Sequence, residues 1–150
     1  MNCKWKCRSA ARPSASGFRR SALLALLLTI AGPARAEWRI IYAEPEYFVE
    51  FDSSAVRDLG AYRLAWTRVT FTEAKREEDD FYQSQGQLHA IDCTQQASTV
   101  VGTVNYSGAF GQGVSAGRKT RPRAEWQPKA APPDSLAASI IASACKATAP

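Results

Sequence analysis

From Trp38 to Tyr106 the sequence is a succession of short runs rich in aromatic and β-branched side chains, interrupted by Pro45, by Asp52-Ser53-Ser54 and by Gly60. Such side chains lose χ1 freedom in a helix and fit the pleated, half-buried surface of a sheet. The pattern predicts a strand over 38–43 and a second over 47–52, where Tyr47, Val49 and Phe51 alternate with Phe48, Glu50 and Asp52. Asp52, Ser53 and Ser54 then open a turn. After Gly60 a long third strand places Tyr62, Leu64 and Trp66 on one face, before its apolar set slips by one residue to Val69 and Phe71. A slip of that kind means a β-bulge or burial on both faces. Residues 81–93, with His89, Ile91 and Cys93 on one face, and 99–106 read as a further hairpin pair.

This strand-rich region is preceded by a segment of a different kind. A basic stretch ending at Arg20 leads into ten residues, Ala22 to Ala31, with one hydroxyl among them. As a helix they would span about 15 Å, half of a hydrocarbon core of about 30 Å. The segment therefore reads as the apolar region of a cleavable signal peptide over residues 1–36. Gly32 and Pro33 end it, and Ala34-Arg35-Ala36 places the expected cleavage between Ala36 and Glu37, leaving a domain at 37–150. General secretion is the default route, although Arg19-Arg20 is a twin-arginine pair. No cysteine stands directly after the apolar run to take a lipid, and no transmembrane segment is expected after cleavage.

The leader also accounts for the basic balance. The net charge of +5 suggests a nucleic-acid partner until its position is examined: residues 1–36 hold seven of the 19 basic residues and no acid, so residues 37–150 carry 12 basic against 14 acidic side chains, a net −2. No nucleic-acid partner is expected. Cys3 and Cys7 would leave with the leader, so Cys93 and Cys145 remain in an oxidising compartment where thiols pair. An intramolecular disulfide is expected, the alternatives being an intermolecular bridge or two free thiols. A metal site is not expected, since His89 is the one histidine, and no cofactor is implied.

Four local features have residue types that could form a site. The run Lys75 to Asp80 places four carboxylates in succession, without the alternate-position spacing of a calcium loop, and reads as a solvated hairpin tip. Gly108, Gly111 and Gly113 lack the Gly-Lys-Ser/Thr of a phosphate loop and read as backbone freedom in a tight connection. His89 has no nominated nucleophile or metal partner, so no catalytic residue is expected. Arg118, Lys119, Arg121 and Arg123 put four cations within six residues, a candidate binding patch for an acidic glycan, an anionic lipid or an acidic protein surface. Beyond a proline-marked stretch from Trp126 to Pro133, Asp134 or Ser135 caps a C-terminal helix with Leu136, Ile140 and Ala144 at four-residue spacing. Ile141 and Cys145 share a face of it.

Asp92-Cys93, Tyr106-Ser107-Gly108, Gly111, Gly113, Trp126, Pro128, Ser135 and Cys145, in that order, resemble the surface-adhesin E-like family of secreted bacterial proteins, as does the opening Trp38, Tyr47, Phe48, Glu50, Asp52, Ser53 and Ser54. The resemblance implies an α+β fold, an antiparallel sheet carrying a C-terminal helix tethered to it by a Cys93–Cys145 disulfide. It also implies adhesion to host extracellular-matrix proteins such as vitronectin and laminin. The leading expectation is a secreted or periplasmic binding module of the bacterial envelope, with a protein or an acidic glycan as partner, located in the periplasm or outside the cell. An uncharacterised periplasmic enzyme or an envelope structural protein is the alternative.

Overall fold

The computed structural model describes residues 36–77 and 80–148; the expected signal segment, apart from Ala36, lies outside the described residues. The strands are β1 (Trp38–Glu44), β2 (Tyr47–Asp52), β3 (Arg57–Leu59), β4 (Tyr62–Glu77), β5 (Asp80–Asp92), β6 (Ala97–Tyr106), β7 (Ser115–Thr120) and the two-residue β8 (Lys129–Ala130). They form one antiparallel sheet in the order β1-β2-β4-β5-β6-β7, with β3 paired to β4 and β8 to β6. Among the described residues one α-helix, α1 (Leu136–Lys146), covers part of one face.

Alternation along β4 explains why the helix settles where it does. Ala65 faces the helix and is fully buried, in a cluster with Phe51, Val56, Ile91, Ile140, Ile141 and Ala144. Thr67 and Val69 continue that face, while Leu64, Trp66, Arg68 and Thr70 point the other way. The slip of apolar residues after Trp66 is therefore burial on both faces: pairing with β5 is continuous from Arg63 through Thr70, and the irregularity lies farther on, between Thr70 and Lys75.

Ser135 caps α1, its hydroxyl accepting from the Ala138 amide at 3.2 Å. At the other end Arg63 donates to the carbonyl oxygens of Ala144 and Ala147, at 2.9 and 2.7 Å. These acceptors are among those a helix leaves unpaired at its C-terminus, where a cation is also favoured by the helix dipole. A disulfide joins Cys93, just beyond β5, to Cys145 on α1. Sheet and helix are thus held by apolar burial, by a charged cap and by a covalent bond.

The charged run lies at the end of the β4–β5 hairpin, where residues 72–76 are exposed. β4 extends to Glu77 and β5 begins at Asp80, with Lys75 opposite Tyr82 and Arg76 opposite Phe81. β3, β7 and β8 were not anticipated. β7 has the sequence Ser-Ala-Gly-Arg-Lys-Thr, without an apolar alternation, and is an edge strand held by backbone pairing to β6. In the glycine-rich connection before it, Gly111 and Gly113 do adopt positive φ, +71° and +80°, whereas Gly108 is extended.

Candidate functional site

The face turned away from the helix carries a cleft, and strand register builds it. Glu50 of β2 pairs with Arg68 of β4, Arg68 with Gly86 of β5, and Gly86 with Val104 of β6. Residues paired in register share a face, so these four form one row across the sheet. The row lacks a side chain at its middle: a Cβ on Gly86 would lie 3.0 Å from Val104 Cγ1 and 3.6 Å from both the Trp66 and Tyr106 rings. The cleft opens over this glycine, with a volume of about 280 Å³, and its walls are Trp38, Trp66, Tyr106, Gly111 and Arg118.

One side of the cleft is closed by the connection between β6 and β7, folded back over β4 and β5. Ser84 is fully buried and donates to the Gly108 carbonyl at 2.6 Å while accepting from the Gly111 amide at 2.8 Å. Arg68 donates to the Phe110 carbonyl at 2.6 Å and to Glu50 at 2.8 Å, and its guanidinium lies 4.3 Å from the centre of the Trp38 ring. Phe110 adopts φ +57°, an uncommon conformation for a bulky side chain, and its ring packs 5.5 Å from that of Phe48. Nothing in sequence spacing nominated Arg68. The signal available was an arginine on the same predicted strand as Trp66, which is too common a feature to single out.

The four cations of the candidate patch are distributed by the geometry of β7 and the chain after it. Arg118 reaches the cleft. Lys119, on the opposite side of the strand, pairs with Glu77 at 2.5 Å, and Glu77 also accepts from Asn105 at 3.0 Å. The lysine and the amide together hold the Glu77 carboxyl below its ordinary range, the Lys119 hydrogen bond contributing most. Beyond the strand, the Arg121 carbonyl accepts from the Trp126 indole at 3.0 Å, and the Arg123 guanidinium lies 5.9 Å from the centre of that indole. Arg118 makes no hydrogen bond, ion pair or ring contact among the described residues.

His89 stands apart from the cleft. It is buried on the helix side of β5, paired in register with Ala65, and its Nε2 lies 2.8 Å from the Thr67 hydroxyl. Burial lowers its pKa to about 4, so the ring is neutral at pH 7. Among the described residues no three His, Cys, Asp or Glu side chains gather in a way that could hold a metal ion, and no helix is long and apolar enough to cross a membrane.

Comparison with solved structures finds the same architecture in Haemophilus influenzae protein E. Its crystal form II aligns with a TM-score of 0.54 at 17% identity, over 77% of this chain and 94% of that one. Protein E from non-typeable Haemophilus influenzae aligns at 0.51 and 17%, over 72% and 74%. At that identity the likeness carries the fold alone. None of the curated proteins matches at a significant level. The family model described as surface-adhesin protein E matches residues 38–146, a span running from the first residue of β1 to the last of α1. The chain belongs to the surface-adhesin protein E family.

Proposed function

We propose that this chain is an exported adhesive module that binds a host extracellular-matrix protein, vitronectin or laminin being the first to test, through the sheet face that α1 leaves open. Membership of an adhesin family gives the binding class. The observation that carries the reading is the cleft on that face, walled by aromatic rings and bordered by Arg118, which has no partner among the described residues. Aromatic and arginine side chains are the types enriched where protein interfaces concentrate their energy. Of the four clustered cations, Arg118, Arg121 and Arg123 add a cationic margin along β7 and the chain after it, suited to steering an acidic partner towards the cleft, while Lys119 is paired with Glu77 on the other side of the strand. The signal peptide over residues 1–36, with cleavage before Glu37, supplies the export this role needs.

The test is saturation binding of the full-length gene product, purified after export, to immobilised laminin and vitronectin with albumin as the control surface. Saturable binding to at least one of the two is expected, weakening as NaCl rises from 50 to 500 mM, because exposed charges are screened beyond about 8 Å at physiological ionic strength. Replacing Arg118, Lys119, Arg121 and Arg123 together by serine should remove the salt-sensitive part. Binding no stronger than to albumin would overturn the adhesive reading. Salt-sensitive binding that survives the fourfold replacement would overturn the role of the cations.

A further inference from the structure

We infer that the cleft over Gly86 is a docking site for a protein segment presenting an acidic side chain beside an aromatic one, with Arg118 taking the carboxylate and Trp38, Trp66 and Tyr106 enclosing the ring. This rests on the adhesive reading and gives it a site and a ligand chemistry.

Three observations lead there. The first concerns charge. Two cations line the cleft, and the charge of Arg68 is already paired: Glu50 holds its Nε, the Phe110 carbonyl holds Nη1, and the Trp38 ring covers its plane. Arg118 is exposed and has no partner among the described residues, so it is the positive charge left for an incoming anion. Asp52 also lines the cleft, with its Oδ1 accepting from both the amide and the hydroxyl of Ser54. Arg118 is thus the cleft's one cation without a counter-charge among the described residues, which suits one carboxylate rather than the repeated anions of an acidic glycan.

The second observation is size. At about 280 Å³ the cleft lies just under the usual range of small-molecule sites, roughly 300–1,000 Å³. It has room for one or two side chains of a peptide. The third is rigidity. The wall formed by Gly108 to Gly111 is tied down by the Ser84 hydroxyl at both ends and by Arg68 in between, and the absent side chain of Gly86 lets Val104 and the Trp66 and Tyr106 rings pack closely around the floor. A cleft formed in advance binds without the cost of ordering its own walls.

The experiment titrates the purified protein with acetyl-Asp-Phe-amide, acetyl-Asn-Phe-amide and acetyl-Asp-Ala-amide, following the indole N–H resonances in 15N-labelled material. A sulfated disaccharide serves as the glycan arm. Trp126, which packs on Tyr62 outside the cleft, is the internal control. The Asp-Phe peptide should shift Trp38 and Trp66 and leave Trp126 in place; the Asn-Phe and Asp-Ala peptides should each bind about tenfold more weakly, as expected for loss of a charge-assisted contact or of an aromatic anchor. Arg118→Ser should bring Asp-Phe down to the level of Asn-Phe and leave Asn-Phe unchanged. Because Arg118 is exposed and has no partner among the described residues, that variant should keep the wild-type melting temperature.

Equal binding of Asp-Phe and Asn-Phe, indifference to Arg118→Ser, or shifts produced by the disaccharide but by no peptide would each overturn the inference. The two readings fail separately. Laminin or vitronectin binding that persists unchanged in Arg118→Ser removes the cleft and leaves the adhesin. Peptide binding without binding to either matrix protein removes the matrix ligand and leaves the cleft.

Discussion

His89 sits on a polar strand yet is buried against the core face, with a threonine hydroxyl as its hydrogen-bonding neighbour. Burial disfavours the imidazolium and lowers the folded-state pKa to about 4, against roughly 6.5 in an unfolded chain. The unfolded state thus takes up a proton as pH falls below 6.5 while the folded state stays neutral until about 4. Stability contributed by the neutral ring is complete above pH 6.5 and is lost across that window, reaching about 2 kcal/mol at pH 5. Urea midpoints at pH 7 and pH 5 should show that loss, and His89→Gln should reduce it. The alternation of 81–93 was enough to put His89 on the face of Ile91 and Cys93. Its hydroxyl partner was not legible, because Thr67 lies 22 residues earlier and only the β4–β5 register sets the two side by side.

Among the elements, β4 does the most to organise the site. Its inward residues hold the helix, and its outward Arg68 ties β2 to the loop after β6. The Arg68 and Glu50 side chains are only 16% and 10% exposed, so removing the arginine leaves a carboxylate mostly withdrawn from water without its counter-charge. Breaking a buried pair in this way costs on the order of 3 kcal/mol. Arg68→Ala should lower the unfolding free energy by about that amount, measured by denaturant titration, and should also raise hydrogen exchange at the Phe110 and Gly111 amides as the loop loses its tie. Element types were readable from the side-chain pattern where one face is apolar, as in β2 and α1. β7 escaped that reading because an edge strand held by backbone bonds needs no apolar face, and its charged residues look the same in a loop.

At the scale of the molecule, α1 closes the sheet through a small apolar cluster, and the Cys93–Cys145 bond spans 52 residues of chain. On the chain-entropy account a loop of that length adds roughly 4 kcal/mol by restricting the unfolded state, against typical domain stabilities of 5–15 kcal/mol. Reduction with a thiol, or the double replacement Cys93→Ala and Cys145→Ala, should lower the unfolding free energy by about that amount. The covalent tie lies on the helix side and the cleft on the other. A cysteine-free protein that remains folded at low temperature should therefore keep its peptide affinity.

Composition and spacing determined the strand-rich class, the C-terminal helix with a cap at Asp134 or Ser135, of which the structure uses Ser135, and the expectation of one disulfide. Each of these follows from side-chain chemistry repeated at a local period, which a linear sequence records directly. The cleft was decided by tertiary structure alone. Trp38, Trp66, Gly86, Tyr106 and Arg118 come from five different strands, and what joins them is the pairing register of an antiparallel sheet, where a shift of one residue would send each strand's contribution to the opposite face.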